Sequence, residues 1–103
     1  MADYRVEILP EAWEDLDGIG DYYMAMVGAE AAERVTDQML DDIDALAKFP
    51  LMAPPHPDPE LAVKGYRKLV LTKTYVAVYK VEDNAVFVYR IVNGATDYPK
   101  LLK

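Results

Sequence analysis

The spacing of apolar residues predicts a short strand followed by two helices in the first half of the chain. Apolar and charged residues alternate from Tyr4 to Leu9, which is the period of a half-buried strand. Spacings of three and four then predict a helix that begins at Pro10 and ends at Gly28. Its apolar stripe consists of Trp13, Leu16, Ile19, Tyr23 and Met26.

A second helix is predicted from about Ala29 to Phe49, where Pro50 ends it. Its apolar stripe consists of Ala32, Val35, Met39, Ile43, Leu46 and Phe49. Because a single glycine joins the two helices, we expect an antiparallel hairpin whose stripes face a common layer. Residues 52–59 contain four prolines, and this composition predicts a loop rather than regular structure.

The C-terminal part of the chain contains three β-rich segments with short connections. They begin near Lys64, at Tyr75 and at Ala85, and a turn at 82–84 separates the last two. Such connections favour an antiparallel meander. The predicted fold is therefore α+β, in the order β-α-α-β-β-β. We expect one domain over residues 1–103, with a largely antiparallel four-stranded sheet and the helix hairpin on one face.

Both faces of this predicted sheet carry apolar side chains. In the strand that begins at residue 75, strict alternation separates Tyr75, Ala77, Tyr79 and Val81 from Val76 and Val78. In the next strand it separates Phe87, Tyr89 and Ile91 from Val86, Val88 and Val92. A helix hairpin covers one face only. We therefore expect another protein, or a second copy of the chain, to cover the other face.

The overall charge of −7 hides an uneven distribution along the chain. Residues 1–63 contain 3 Lys and Arg against 15 Asp and Glu, which gives −12. From Lys64 onward there are 8 Lys and Arg against 3 Asp and Glu, which gives +5. A basic sheet thus accompanies acidic helices, and a site for an anionic partner is expected on the sheet.

Composition excludes several other classes of site. The chain has no cysteine, so it holds neither disulfides nor thiolate-bound metal. The acids of the second helix are interpreted as a solvated face, and we expect no metal site and no cofactor. No apolar run approaches the roughly 20 residues of a membrane helix. The N-terminus lacks the pattern of an export signal, so we expect a cytoplasmic protein that does not bind membranes.

Several single residues have a structural interpretation. Trp13 is predicted to lie in the core. His56, the only histidine, has no visible catalytic partner and is interpreted as incidental. Arg90, in the middle of a strand, is expected either to pair with a helix acid such as Asp21 or to face a partner, and pairing is favoured. Tyr75, Tyr79 and Tyr89 could stack on bases, although packing is the preferred interpretation for the last two.

The order of these elements and residues resembles the RelE/ParE superfamily of bacterial toxins. The segments that carry the resemblance are Leu9–Ala12, Asp15-Leu16, Asp21–Tyr23, Leu46–Pro50, Gly65–Leu69, Tyr75–Val81, Arg90–Gly94, Asp97-Tyr98 and Leu101-Leu102. The resemblance implies a small toxin of a type II toxin–antitoxin, or plasmid stabilisation, module. Such a toxin inhibits growth when free and is neutralised by a cognate antitoxin, with which it commonly represses its own operon.

The superfamily has two chemistries. Its RelE-like branch cleaves mRNA on the ribosome and uses Lys and Arg on the central strands, together with a basic or aromatic residue near the C-terminus. Arg67 matches the first basic position and is the one candidate catalytic residue for such a metal-independent nuclease. The superfamily's further basic and aromatic positions are occupied here by Leu69, Leu71, Val76, Asn93 and Thr96.

The ParE-like branch poisons DNA gyrase, and the sequence from Arg90 to Leu102 is more similar to that branch. Three functions are therefore open: a toxin acting on gyrase or replication, a ribosome-dependent mRNA endoribonuclease, and a non-toxic module that only binds an antitoxin. A homodimer or a heterotetramer with the antitoxin is possible. The candidate binding residues are Lys68, Lys73, Tyr75, Arg90, Asn93, Asp97 and Tyr98.

Overall fold

The protein consists of a four-stranded sheet with two long helices on one face, as described for residues 3–103 by a computed structural model. Its elements are β1 (Arg5–Ile8), α1 (Pro10–Met26), α2 (Ala29–Asp44), a 3₁₀ turn (Ala45–Ala47), α3 (Pro59–Val63), β2 (Arg67–Val70), β3 (Tyr75–Glu82), β4 (Ala85–Asn93) and a C-terminal 3₁₀ segment (Tyr98–Leu102). The predicted α+β class and element order are confirmed. None of the helices in the described part combines the length and apolar character needed to cross a bilayer.

The strands lie in the order β1-β4-β3-β2. β2, β3 and β4 form the predicted antiparallel meander. β1 pairs in parallel with β4, with Arg5 opposite Ala85 and Ile8 opposite Val88. The helix hairpin connects β1 to the rest of the sheet. Because β1 and β2 lie at the two edges, β4 and β3 are the central strands. These two strands carry the candidate binding residues Tyr75, Arg90 and Asn93.

A β-bulge changes which side chains of β4 share a face. Val78 pairs with Arg90 but the next residue, Tyr79, pairs with Val88, so Tyr89 is an extra residue in β4. Beyond the bulge the alternation is shifted by one position. Ile91 consequently lies in the core under the helices and not with Phe87 and Tyr89, as strict alternation predicted.

The main core lies between the helix hairpin and one face of the sheet. Leu16 and Ile19 from α1 and Met39 and Ile43 from α2 are buried there against the sheet. Tyr79 is fully buried, and its hydroxyl donates a hydrogen bond of 2.8 Å to the carbonyl of Pro50. The packing interpretation of Tyr79 is thus confirmed, as is the position of the hairpin on one face.

Three residues of the predicted helix stripes lie outside this core. Trp13 is 45% exposed, because the buried line of α1 runs through Ala12 and Leu16 and leaves Trp13 at its edge. The prediction of a core tryptophan is wrong. Met26 is in the last turn of α1 and is exposed. Phe49 is also exposed, because α2 ends at residue 44 and the chain tightens into a 3₁₀ turn before it.

The second face of the sheet has its own smaller core, which we call the second cluster. Its buried members are Leu61, Tyr66, Val76, Val78 and Tyr98, with Tyr89, Val92 and Leu102 packed around them. The expectation that this face waits for another polypeptide is therefore wrong for its centre, because α3 and the C-terminal segment cover it. Val70, at the β2 edge, remains 63% exposed.

The short helix α3 was not predicted from the sequence. Asp58 is its N-cap, and its carboxylate accepts hydrogen bonds from the backbone N–H groups of Glu60 and Leu61 at 3.0 and 3.2 Å. Pro59 follows at the first helical position, where a proline is favourable. This helix buries Leu61 completely in the second cluster.

Candidate functional site

Arg67, the candidate catalytic residue, is held by the protein's own backbone. It stands at the start of β2 opposite Tyr79, so its side chain is on the helix side of the sheet. Its Nη1 donates a hydrogen bond of 2.7 Å to the carbonyl oxygen of Ala53 in the proline-rich loop. The guanidinium therefore fastens this loop to the sheet edge.

Lys68 and Lys73 are separated from Arg67. Lys68 stands opposite Val78 and therefore lies on the second face of the sheet. Lys73 is exposed in the turn between β2 and β3. Within residues 3–103, neither lysine takes part in an ion pair. The three predicted basic residues thus do not converge on one site.

Three of the other predicted residues do come together. Tyr75 and Asn93 are cross-strand neighbours in β3 and β4, and Tyr98 follows at the start of the C-terminal segment. They line a groove of about 430 Å³ between α1, the end of β4 and the C-terminal segment, which we call the tail groove. Its remaining lining residues are Glu14, Asp15, Gly18, Ile19, Tyr22, Ile91, Val92, Thr96 and Leu101.

The chemistry of the tail groove is aromatic and acidic. Its lining includes two carboxylates and no Lys or Arg. Burial, followed by the neighbouring hydroxyls of Tyr23 and Tyr22, raises the pKa of Tyr75. Burial likewise raises the pKa of Tyr98. These phenols stay protonated at neutral pH, so neither supplies the base that attack by a ribose hydroxyl requires.

The turn after β4 satisfies its own polar groups. The Asn93 side chain accepts a hydrogen bond of 2.9 Å from the backbone N–H of Ala95. The Thr96 hydroxyl donates one of 2.7 Å to the backbone carbonyl of Asn93. Asp97 is exposed and lies 3.7 Å from the Lys100 ammonium. These contacts shape the wall of the tail groove.

Arg90 forms an ion pair, as favoured from the sequence, but with a different acid. Its Nε and Nη2 donate to the two carboxylate oxygens of Asp15 at 2.7 and 3.0 Å, whereas Asp21 is exposed and makes no ion pair within residues 3–103. The hydrogen bonds that Arg90 donates to Asp15 raise the pKa of Arg90. Glu11 approaches the same guanidinium at 3.6 Å. The expected pairing with a helix acid is therefore confirmed, but the acid is Asp15 and not Asp21, because α1 crosses β4 six residues earlier in the helix.

His56 has a defined position that the sequence did not indicate. Only 4% of the residue is exposed, and its Nε2 lies 2.7 Å from the hydroxyl of Tyr98. Its Nδ1 accepts a hydrogen bond of 2.9 Å from the backbone N–H of Asp58. The interpretation of His56 as incidental is wrong, since it joins the proline-rich loop to the C-terminal segment. An Asp-Pro cap two residues later was the signal that this loop is ordered.

Among residues 3–103, no group of three or more His, Cys, Asp or Glu side chains is arranged to hold a metal ion. The acids of α2 are spread along its exposed side, and Gln38 donates to the Asp42 carboxylate at 3.0 Å.

The helix side of the protein has two grooves that the sequence pattern does not predict. One, of about 640 Å³, lies between α1 and α2, and the other, of about 630 Å³, lies beside β1. Trp13 and Leu40 line both, so the exposed tryptophan stands where the grooves meet. Their charged lining is entirely acidic: Glu7, Asp17, Asp21, Glu33 and Asp44.

Known proteins resemble the chain over nearly its full length. Residues 6–98 match the family described as the ParE toxin of the type II toxin–antitoxin system parDE. No curated protein matches it in sequence. In the chromosomal ParDE toxin–antitoxin system from P. aeruginosa, a chain is similar with a TM-score of 0.75 and 22% identity, over 87% of this chain and 95% of that chain.

A chain of the toxin–antitoxin complex RelBE2 from Mycobacterium tuberculosis is similar with a TM-score of 0.65 and 21% identity, over 88% of this chain and 98% of that chain. At such identities the two structures establish a shared fold. The family match is more specific, because it spans β1 through the start of the C-terminal segment. The chain belongs to the ParE toxin family of type II toxin–antitoxin systems.

Proposed function

We propose that the protein inhibits growth by acting on DNA gyrase or another component of replication, and that a cognate antitoxin neutralises it. The ParE family match and the sequence similarity of its last β-strand and tail to the ParE-like branch support this target. The observation that carries the proposal is the hydrogen bond made by Arg67, the only residue that matches the catalytic positions of the RelE-like nucleases. Its guanidinium is engaged with the Ala53 carbonyl.

The other nuclease positions cannot replace Arg67. Cleavage of RNA through its 2′-OH requires a base, a cation for the phosphate charge and an acid for the leaving oxygen. Leu69, Leu71 and Val76 supply none of these, and the last two are 8% and 4% exposed. Asn93 and Thr96 are engaged in their own turn.

The electrostatics of the tail groove agree with a protein target better than with RNA. Affinity for RNA derives largely from cations that neutralise phosphates. Here Glu14 and Asp15 line the groove, and Arg90, which contacts Asp15, is already neutralised by it. A groove lined by tyrosines and aliphatic side chains suits a protein surface.

An antitoxin partner is supported by the apolar side chains that the helices expose. Trp13 and Met24 are 45% and 54% exposed on α1, and both line the groove between α1 and α2 beside carboxylates. A chain segment with apolar and basic residues would complement this surface. We propose this helix side for the antitoxin in place of the sheet face, whose centre is already covered. A homodimer or a heterotetramer with the antitoxin remains a proposal.

The experiment that tests the target is induction of the protein in cells while DNA synthesis and translation are followed separately. The proposal expects DNA synthesis to stop first and expects co-expression of the antitoxin to restore it. An early stop of translation with cleaved mRNA would favour the endoribonuclease. Normal growth at every expression level, with a tight antitoxin complex, would favour the binding module.

A further inference from the structure

The buried imidazole of His56 is held in one protonation state by two hydrogen bonds. Its Nδ1 accepts from the backbone N–H of Asp58, so this nitrogen carries no proton. The proton of the neutral ring is therefore on Nε2, which donates it to the hydroxyl of Tyr98 at 2.7 Å. The start of the C-terminal segment is thus attached to the neutral form of the ring.

Asp58 links this ring to the other end of the same segment. Its backbone N–H binds His56, and its carboxylate caps α3. The same carboxylate lies 3.2 Å from the ammonium of Lys103, the last residue. Glu60 reaches that ammonium at 3.9 Å. Both ends of residues 98–103 are therefore fastened to the short stretch from His56 to Glu60.

The C-terminal segment covers the second cluster and separates two grooves. Tyr98 and Leu102 contact the cluster directly. The tail groove lies on one side of the segment, and a groove of about 440 Å³ that includes Tyr66, Tyr89 and Arg90 lies on the other. Leu101 lines both grooves. Departure of the segment would join the grooves and uncover the apolar second face.

We propose that His56 is a proton-sensitive latch, and that protonation of its ring detaches the C-terminal segment and uncovers the second cluster. A second ring proton would stand on Nδ1 and face the Asp58 N–H, so two donors would oppose each other. The ring would have to turn away from Asp58, and this movement would break its Nε2–H bond to Tyr98. The resulting charge would also be almost completely buried. This regulation is independent of the toxin's target and goes beyond the proposed function.

Burial of the His56 ring and the charged groups around it determine the pH at which the latch opens. Burial lowers the pKa of His56, the Lys68 ammonium on β2 lowers it further, and the Asp58 carboxylate raises it. The phenol of Tyr98 is neutral in this range because burial raises its pKa. The neutral ring therefore stabilises the attached segment above the ordinary histidine pKa of about 6.5, and this stabilisation is lost as the pH falls below that value.

The test uses NMR on the intact chain, in which the ring of the only histidine gives an unambiguous signal. The His56 ring and the backbone amides of Tyr98 and residues 100–103 are followed from about pH 7.5 to about pH 5, across the ordinary titration range of histidine; Pro99 has no amide hydrogen. We expect amide exchange, corrected for its intrinsic pH dependence, to accelerate about tenfold at the midpoint of the ring, which corresponds to one lost hydrogen bond. Segment amides that stay protected while the ring titrates would overturn the proposal. So would a ring that takes up its proton only when the whole sheet unfolds.

Two variants separate the latch from general loosening. Tyr98→Phe keeps an aromatic ring at position 98 in the second cluster but removes the hydroxyl that accepts the hydrogen bond from His56. We therefore expect fast amide exchange in the C-terminal segment already at neutral pH. Tyr89→Phe changes another tyrosine of the same cluster and should leave the segment protected. His56→Gln should abolish the pH dependence. If that variant does not fold, equal exchange in Tyr98→Phe and wild type would still refute the latch.

Discussion

Arg90 and Asp15 form a bidentate ion pair that fixes α1 against the central strand β4, with donor–acceptor distances of 2.7 and 3.0 Å. The same Asp15 carboxylate accepts a third hydrogen bond, 2.9 Å long, from the backbone N–H of Ile91. This N–H follows the β-bulge, where the regular ladder is interrupted. Asp15 thus neutralises the charge of Arg90 and satisfies the backbone N–H of Ile91 at the point where the strand changes register.

Replacing Asp15 with Ala should destabilise the protein by about 2–3 kcal/mol, since it leaves a largely buried guanidinium with only the exposed Glu11 carboxylate, 3.6 Å away, as its partner. The side chains are 21% and 16% exposed, so we expect less than for a fully buried pair. Urea unfolding measures the change. Asp21→Ala is the matched control on the same helix and should alter the free energy of unfolding by less than about 0.5 kcal/mol. Equal effects of the two changes would contradict the structure.

Tyr79 gives a prediction at alkaline pH. Burial raises the pKa of this phenol above its value of about 10 in the unfolded chain. The folded state therefore resists deprotonation of this phenol. The stability that the protonated phenol contributes is fully present below about pH 10 and is lost as the pH rises through its folded-state pKa. Tyr79→Phe should cost about 1 kcal/mol at neutral pH through loss of the bond to Pro50.

The free energy of unfolding of Tyr79→Phe should also fall less steeply than that of wild type above about pH 10, where tyrosines titrate. Tyr22→Phe, at a position that is 56% exposed, is the control and should keep the wild-type slope. An unchanged slope in Tyr79→Phe would show that this phenol is not buried.

Truncation should destabilise the protein much more at Met39 than at Trp13. Met39 is fully buried in the main core, so Met39→Ala should cost about 2–5 kcal/mol. Trp13 is almost half exposed, and Trp13→Ala should cost clearly less, about 1 kcal/mol. Thermal unfolding compares the two variants. The fluorescence of Trp13, the only tryptophan, should resemble that of a solvated indole, and a strongly blue-shifted emission would place it in the core after all.

The sequence predicted those parts of the fold that depend on local periodicity. Period-two and period-3.6 patterns located β1 and the helix hairpin, because one face of each of these elements packs on the core. The central strands β3 and β4 are buried on both faces, and their β-rich composition and the turn between them located them instead. The end of α2 was placed too late, since Phe49 continues the stripe although the helix stops at residue 44. Helix α3 was missed although Asp58-Pro59-Glu60 is a recognisable cap, because the surrounding prolines were interpreted as a loop.

Tertiary relationships were less accessible from the sequence. Nothing local to Tyr89 indicates an extra residue in β4, yet the bulge moves Ile91 to the other face. The choice of Asp15 over Asp21 depends on where α1 crosses β4. His56 and Tyr98 are 42 residues apart, and their contact exists only because the C-terminal segment folds back over the sheet. Of the candidate site residues predicted from the sequence, only Tyr75, Asn93 and Tyr98 line one groove. Which residues share a groove depends on such tertiary contacts, and these cannot be read from local sequence patterns.

Arg67 should contribute to stability and not to activity. Arg67→Ala removes the hydrogen bond to Ala53 and should lower the free energy of unfolding by about 1–2 kcal/mol. Growth inhibition at a temperature where the variant is folded should nevertheless persist. Lys73→Ala, in the exposed turn, is the control for loss of a positive charge. A folded Arg67→Ala variant that no longer inhibits growth would point to the nuclease.

The most direct test of the account is a comparison of two reactions with the purified protein. One is supercoiling of plasmid DNA by purified gyrase, and the other is translation of a defined mRNA by reconstituted ribosomes. The account predicts inhibited supercoiling that the antitoxin reverses, together with intact mRNA. Unaffected supercoiling combined with ribosome-dependent cleavage of the mRNA would contradict it.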